Sequence, residues 1–269
     1  MFYQCSQIRN IIINNFKTNK VKKMQYMLRN CSNLINSPVR SFDTSNVENM
    51  SNMFEYCTSL SNLTLNNFNT ENVKDMSNMF TFARGITILD ISTFNTAKVT
   101  NMSHMFEYLS QLTSLSLSHF DTSNVVDFSS MFRGCYLLKN LDIRNLKTSN
   151  AIYMQKFFSD CSYLTSLNLG NFDNSNAKNI SGMFLGCTQL KEVSLSSFKT
   201  SKVEDMSDLF SYCLGLTSLD LSNFDTTQVT NMRNMLKFCN DLSYIKFNFN
   251  TEKVTDISSM FDDCHKRTS

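Results

Sequence analysis

Residues 42–65 read FDTSNVENMSNMFEYCTSLSNLTL, and residues 68–91 repeat the pattern as FNTENVKDMSNMFTFARGITILDI. The two stretches begin 26 residues apart and share Phe, Thr, Val, Met, Met and Phe at the same positions. A fixed period of this length is typical of solenoid proteins, in which a unit buries its apolar face only by stacking on its neighbours. The repeat therefore predicts a solenoid.

The repeat extends over nearly the whole chain of 269 residues. Its first position recurs as Phe16, Phe42, Phe68, Phe94, Phe120, Leu146, Phe172, Phe198 and Phe224, and the last unit, from Phe249, is one residue short. All nine cysteines fall in one column, which reads Cys5, Cys31, Cys57, Ala83, Leu109, Cys135, Cys161, Cys187, Cys213, Cys239 and Cys264. We therefore predict a single repeat solenoid over residues 1–269.

The first half of each unit has a helical period. Val47, Met50, Phe54 and Cys57 are spaced three, four and three residues apart, as on one face of an α-helix. The preceding Thr44–Ser45 pair consists of residue types that cap helix N-termini. We therefore predict a short helix in this half of every unit.

The second half of each unit alternates, since Leu63 and Leu65 flank Thr64, which predicts a short strand with one face inward. The predicted fold class is α/β. It is a leucine-rich-repeat-like solenoid of about ten 26-residue coils, with a parallel sheet on one face and short helices on the other. Pro38 lies in the equivalent segment and cannot donate a ladder hydrogen bond, so we expect the sheet to be interrupted there.

The motif at residues 42–63 resembles the BspA-like leucine-rich repeats. Proteins with these 26-residue repeats include bacterial surface proteins, mycoplasma lipoproteins and surface proteins of some protozoan parasites. The resemblance implies a solenoid at the cell surface or outside the cell that binds a protein or glycan ligand. It implies no catalytic residues and no cofactor.

Export and anchoring segments are not apparent in the sequence. The first residues lack a basic region followed by an apolar run, so no signal peptide is predicted. No stretch approaches the roughly 18 apolar residues of a membrane-spanning helix, so membrane insertion by this segment is not expected. The chain starts and stops within a repeat, which suggests a fragment of a longer chain or ends that stack on further copies.

The cysteines raise the question of metal binding and disulfides. Metal sites need converging ligands, often as C-x-x-C pairs, whereas these cysteines lie 26 residues apart in a line. Disulfides need Cα atoms within about 7 Å, and the helices of neighbouring coils pack about 8–10 Å apart. We therefore predict a column of buried free thiols and no metal site.

Two further polar columns could suggest other chemistry. The spacing of Asp121 and Asp127 could suggest calcium, but Lys occupies the first of these columns in three of ten units, so turn hydrogen bonds are the better interpretation. A threonine column, with Thr44 and Thr70 as members, resembles the threonine ranks of ice-binding solenoids. We place it instead in a turn ahead of the predicted helix.

The column before cysteine is the most informative position outside the core. It reads Tyr56, Phe82, Tyr108, Gly134, Asp160, Gly186, Tyr212 and Phe238. A core position would not alternate between Gly, Asp and Tyr, so we predict that the column is partly exposed. Tyr56, Phe82 and Tyr108 are the predicted ligand-binding residues, because aromatic side chains are enriched in binding hot spots. The alternative is lateral packing between neighbouring coils.

A second candidate surface is the outward side of the strands, which is polar and nearly uncharged. Its members are Thr64, Asp90, Ser116, Asp142, Asn168, Ser194, Asp220 and Lys246. Such a surface would suit hydrogen bonding to a glycan or to protein loops.

Three functions remain open: a surface adhesion or protein-recognition solenoid, a structural or self-assembling repeat element, and an intracellular protein-binding scaffold. An enzyme is not expected, because His104, His119 and His265 occupy unrelated repeat positions and no phosphate-binding glycine motif occurs. The formal net charge of +2 gives no indication of a nucleic-acid partner.

Overall fold

The computed structural model describes residues 2–13 and 15–264. The chain winds into a β-solenoid with short strands at the same point of successive repeats. They are β1 (Asn62–Thr64), β2 (Ile88–Asp90), β3 (Ser114–Ser116), β4 (Asn140–Asp142), β5 (Ser166–Asn168), β6 (Glu192–Ser194), β7 (Ser218–Leu221) and β8 (Tyr244–Phe247). The strands pair in parallel two by two, as β1–β2, β3–β4, β5–β6 and β7–β8.

A second line of backbone contacts joins the coils away from the strands. Parallel bridges connect one residue per repeat in the order Lys23, Asn49, Asp75, Asn101, Asp127, Tyr153, Asn179, Asp205, Asn231 and Asp256. This line is continuous, whereas the strand side is divided into pairs. The coils are therefore held in register mainly along the bridged line.

The predicted short helices are wrong. The described residues contain no α-helix, and residues 50–57 form consecutive tight turns. The Asn52 N–H donates to the Ser77 carbonyl of the next coil at 2.9 Å, and the Glu55 N–H donates to Asn52 of its own coil at 3.3 Å. Turns of three to four residues place apolar side chains on one side of the chain, as a helix would, which explains the misleading period.

Left-handed residues prevent helix formation in these turns. Asn52 and Tyr56 both have a φ of 58°, and their counterparts in the other coils are also positive. A positive φ cannot continue a right-handed helix, and at the third residue of a turn it is characteristic of type II geometry. Thr44 and Ser45 therefore do not cap a helix.

The interruption expected at Pro38 is confirmed. A 3₁₀ helix, Pro38–Ser41, replaces the strand there, with proline at its first turn. Proline is tolerated at this position because its missing N–H would have no partner within the helix. The breaks between the strand pairs β2–β3, β4–β5 and β6–β7 were not predicted.

The core consists of the apolar columns that the repeat defines. One of them is a stack of fully buried rings from Phe54, Phe80, Phe106, Phe132, Phe158, Phe184 and Phe210, with centroids 5.1–5.9 Å apart. Offset stacking of this kind adds about 0.5–1.5 kcal/mol per pair to the effect of burial. The same ring therefore stabilises its own coil and both neighbours.

The buried cysteines form no disulfide among the described residues, as predicted, but the spacing argument fails because no α-helices separate the coils there. Each buried thiol instead donates a hydrogen bond to a carbonyl of the preceding coil. The Cys57 Sγ lies 3.1 Å from the Leu28 oxygen, and the Cys135 Sγ lies 3.1 Å from the Phe106 oxygen. The column is thus a line of weak donors that link coils.

We expect these thiols to be inert in the folded protein. Burial raises the pKa of Cys135 and of Cys239 to about 12, so about one thiol in ten thousand is ionised at pH 8. Titration with a thiol-reactive disulfide dye should give a slow reaction in buffer and all nine thiols in denaturant. Rapid reaction of more than the half-buried Cys5 and Cys264 would contradict the burial.

The threonine column is buried from Thr18 to Thr226, which excludes an ice-binding surface there. The Thr70 hydroxyl donates to the Asn95 carbonyl at 2.9 Å and accepts the Asn95 N–H at 2.8 Å. Such threonines link neighbouring coils. Asn174 takes this place in one coil and is fully buried, and neither of its side-chain polar atoms has a hydrogen-bond partner among the described residues.

Replacing Asn174 by Thr is expected to stabilise the protein. A buried polar group without a partner costs about 1–3 kcal/mol, so Asn174→Thr should raise the free energy of unfolding by a similar amount. Urea unfolding measures the change. The reverse substitution in the adjacent coil, Thr148→Asn, should destabilise, and equal stability of all three proteins would contradict the argument.

Candidate ligand-binding surface

The column before cysteine has a left-handed backbone in every coil. The φ angle is 58° at Tyr56, 57° at Phe82, 56° at Tyr108, 70° at Gly134 and 60° at Asp160. Glycine adopts this conformation readily, Asn and Asp tolerate it, and bulky residues rarely do. The presence of Gly and Asp in this column therefore reflects the left-handed backbone, and not exposure alone as the sequence suggested.

The structure brings Tyr56, Phe82 and Tyr108 together in one stack. The Tyr56 and Phe82 ring centroids are 4.7 Å apart with planes 4° from parallel, and those of Phe82 and Tyr108 are 4.5 Å apart. Tyr56 is 38% exposed, and the other two side chains are half-buried. Lateral packing and partial exposure therefore both hold: the rings cover one another's faces and present their edges to solvent.

Gly134 ends this stack. A Cβ at this position would lie 2.4 Å from Cδ1 of the Tyr108 ring, so the ring lies directly against the glycine backbone. Both faces of Phe82 and of Tyr108 are thus in contact with protein. Tyr136, 39% exposed, continues the aromatic surface with its ring tilted 59° to that of Tyr108 and 6.1 Å away.

Cations lie over the stacked rings. The Arg84 guanidinium carbon is 5.1 Å from the Phe82 centroid and 5.8 Å from that of Tyr108, and the Arg133 carbon is 5.5 Å from Tyr108. In the coil after Arg133, Tyr163 receives the Lys139 ammonium at 5.3 Å. Contacts of this geometry are attractive by about 0.5–1 kcal/mol at exposed sites.

A buried carboxylate orients one of these cations. Glu107 is 5% exposed and lies 3.4 Å from Arg133 and 2.8 Å from the His104 Nδ1. Arg133 also approaches Asp160 at 4.0 Å. Its charge is therefore largely balanced within the solenoid.

We call Phe82, Arg84, Tyr108, Arg133, Tyr136, Lys139 and Tyr163 the basic-aromatic patch. Sequence reasoning identified Phe82 and Tyr108 but missed the other five. A usable signal was present in the sequence, because Arg84 and Tyr136 stand in a column that is filled by Ser, Thr, Leu or Asn in the other repeats from Ser6 to Asn240.

The strand side carries a groove of about 860 Å³ next to this patch. Asp90, Ser116, Asp142 and Asn168 line it from the strands, with Lys139 also at its wall. The predicted outward positions are indeed exposed or half-buried. The groove therefore offers hydroxyl, amide and carboxylate groups to a ligand.

One ion pair dominates the floor of the groove. The Arg144 guanidinium makes two hydrogen bonds to Asp142, at 2.9 and 2.8 Å, and lowers the pKa of that carboxyl to about 2. Ser116 adds a contact to the same carboxylate at 3.4 Å. Asp142 is thus ionised and already engaged at neutral pH.

The other candidate titratable side chains make hydrogen bonds within turns or between coils. Asp121 accepts the Ser123 N–H at 3.1 Å, in agreement with the predicted turn role. His119 Nε2 lies 3.0 Å from the Ile91 carbonyl, and His265 is outside the described residues. Within residues 2–13 and 15–264, no group of three or more His, Cys, Asp and Glu could hold a metal ion, and no helix is long and apolar enough to cross a membrane.

The coils stack through buried apolar columns and expose side chains on the strand side. This arrangement defines a leucine-rich-repeat type of solenoid. A family model described as "Mycoplasma protein of unknown function, DUF285" matches residues 1–88, 81–168 and 154–269. The chain belongs to this family. The resemblance to BspA-like leucine-rich repeats is confirmed. No curated protein matches the chain.

Solved structures with a similar course of the chain are repeat proteins. A leucine-rich cell surface protein of Faecalibacterium prausnitzii is 17% identical, with a TM-score of 0.46 over 96% of this chain and 78% of that one. A leucine-rich-repeat protein of Leptospira interrogans is 13% identical, with a TM-score of 0.32 over 94% and 84%. An internalin of Listeria monocytogenes is 15% identical, with a TM-score of 0.28 over 78% and 62%.

Proposed function

We propose that this chain is a non-catalytic protein-recognition solenoid acting in adhesion at a cell surface, and that Tyr56, Phe82 and Tyr108 form the centre of its binding surface. In this proposal, each of the ten sequence repeats forms one coil of a single solenoid, and the solenoid is part of a longer protein. Surface location rests on the family resemblance.

The observation that carries the proposal is the stack of three aromatic side chains, Tyr56, Phe82 and Tyr108, on left-handed backbone. A bulky residue in this conformation costs about 1–2 kcal/mol. The fold does not need aromatic residues there, because Gly134 and Gly186 occupy the same column with φ values of 70° and 71°. Stacking offsets part of the cost and leaves rigid ring edges and hydroxyls available to a partner.

Binding to arrays of matrix and host-cell surface proteins tests the proposal. A triple variant, Tyr56→Ser with Phe82→Ser and Tyr108→Ser, should lose at least tenfold in affinity, as expected for hot-spot residues. The matched control is Tyr212→Ser with Phe238→Ser, because this pair stacks at 4.6 Å in the same column of later coils.

The outcomes distinguish the aromatic stack from the strand-side groove as the binding surface. Loss of binding in the triple variant alone supports the proposal. Unchanged binding in both variants would overturn it in favour of the strand-side groove. Absence of binding to any protein would remove the recognition role altogether.

A self-assembling repeat element is the second candidate. Its support is an apolar surface in the last described coils, where Tyr244 is 58%, Phe247 43% and Ile257 58% exposed. Exposed apolar patches often mark interaction sites. Concentration-dependent sedimentation that is abolished by Phe247→Ser would favour this candidate, and a monomer at all concentrations would exclude it.

A further inference from the structure

Arg84 is a charged side chain without a counter-charge. Several exposed lysines pair with an acid of a neighbouring coil, as in Lys74–Glu48 at 2.9 Å and Lys147–Asp121 at 3.4 Å. In the described part of the chain, no carboxylate lies within 4.0 Å of the exposed Arg84, whose contacts are with the Phe82 and Tyr108 rings. The rings therefore hold the guanidinium in place and leave its hydrogen-bond donors available.

Lys139 repeats this arrangement further along the solenoid. Its ammonium lies over the Tyr163 ring, it is exposed, and no acid among the described residues is within ion-pair distance. Rungs of a parallel stack are about 4.8 Å apart, so Arg84 and Lys139, two coils apart, are separated by roughly 10 Å along the axis. An extended peptide covers this distance with about three residues.

The geometry of the rings selects among anionic ligands. Nucleic-acid bases and many sugars bind proteins by stacking on an open aromatic face. Both faces of Phe82 and Tyr108 are already covered, by one another, Tyr56 and Gly134. The exposed members of the patch are Arg84, Tyr136, Lys139 and Tyr163, and each of them carries a hydrogen-bond donor. Arg84 and Lys139, roughly 10 Å apart along the axis, can each bind one carboxylate of an extended acidic peptide.

We propose that the basic-aromatic patch binds an extended acidic segment of a protein partner, with one carboxylate at Arg84 and a second at Lys139. This inference rests on the proposed recognition function and names the chemistry of its partner. The aromatic stack supplies a rigid base, and the two cations supply specificity for acidic residues.

Binding of dye-labelled hexaglutamate, followed by fluorescence anisotropy at low salt, tests the inference. The double variant Arg84→Gln with Lys139→Gln should bind roughly tenfold more weakly than the unmodified protein, and binding should weaken as salt is added. The control is Lys202→Gln with Lys253→Gln, which removes the same charge from exposed lysines that contact amide oxygens at 2.6 and 2.7 Å. Equal thermal midpoints of the three proteins establish that all are folded.

Selective loss in the Arg84 and Lys139 variant, with hexaglutamine not bound, supports the inference. Equal loss in both double variants would overturn it, since the effect would then follow net charge. Tighter binding of a heparin hexasaccharide than of hexaglutamate would overturn it in favour of a sulfated glycan. If array partners depend on Tyr56, Phe82 and Tyr108 but tolerate the Arg84 and Lys139 changes, the inference fails while the recognition function stands.

Discussion

Phe106→Ala should lower the free energy of unfolding by about 3–5 kcal/mol. The Phe106 side chain is fully buried, and its ring lies 5.9 Å from Phe80 and 5.6 Å from Phe132. Truncation removes both stacking contacts and leaves a cavity in the middle of the solenoid. Because each coil contacts only its neighbours, the damage cannot be shared with distant parts of the structure.

Phe106→Leu is the matched control, because Leu28 and Leu236 occupy the same column in other coils. This substitution should cost about 1 kcal/mol. Urea unfolding gives the totals, and hydrogen exchange should show the loss of protection concentrated in the coils that contain Phe80 to Phe132. Similar losses for the Ala and Leu variants, or loss of protection spread evenly over the chain, would contradict a nearest-neighbour core.

The apolar columns of the core could be predicted from the sequence, but the backbone that presents them could not. Val47, Met50, Phe54 and Cys57 are all fully buried, as their spacing predicts. The helix prediction was wrong about the backbone hydrogen bonds of this segment, which are those of tight turns. A spacing of three and four residues is compatible with a helix and with successive tight turns, and the residues cannot distinguish them when only apolar positions are compared.

The polar positions of the repeat could have distinguished tight turns from a helix. Asn52, Asn78 and Gly182 share one column, and Gly134 and Gly186 share the column four residues later. Asn and Gly are the residues that adopt a positive φ most readily, and they are poor helix formers. Two such columns four residues apart within the predicted helix indicate left-handed turns, and all five residues have positive φ.

The candidate site was predicted in part for a related reason. Alignment of the repeats places Tyr56, Phe82 and Tyr108 in line, because a solenoid stacks equivalent positions. Arg84 and Lys139 belong to other columns, and each reaches its ring through side-chain torsions that repeat periodicity does not specify. Contacts within a column are therefore predictable from a repeat, whereas contacts between columns require the structure.

Gly85→Ala is expected to be the most damaging of the small changes, with a loss of about 3 kcal/mol in the free energy of unfolding. A Cβ on Gly85 would lie 2.3 Å from the Thr58 carbonyl oxygen and 2.9 Å from that of Leu60. Both are backbone atoms of the preceding coil, so no side-chain rotation can relieve the clash. The coils must separate at this point.

Two other glycines provide a graded comparison. At Gly215, in the same column, the nearest atom to an added Cβ is the Thr188 carbonyl oxygen at 3.2 Å, and at Gly170 it is a side-chain oxygen of Asn168 at 3.2 Å. Ala at Gly170 should change stability by no more than about 0.5 kcal/mol, and Ala at Gly215 should fall between the two. Urea midpoints of the three variants measure the order, and a loss at Gly170 equal to that at Gly85 would contradict it.

The Gly85 variant also links stability to binding. Arg84 precedes this glycine, and Phe82 stacks on Tyr56 of the coil that would be pushed away. Widening this gap separates the two rings and moves the guanidinium, so hexaglutamate binding should weaken at temperatures where the protein is still folded. The Gly215 variant should bind as the unmodified protein does, because its coil lies outside the basic-aromatic patch. Weaker hexaglutamate binding in the Gly85 variant but not in the Gly215 variant would therefore show that binding depends on the spacing of the coils that carry Tyr56 and Phe82.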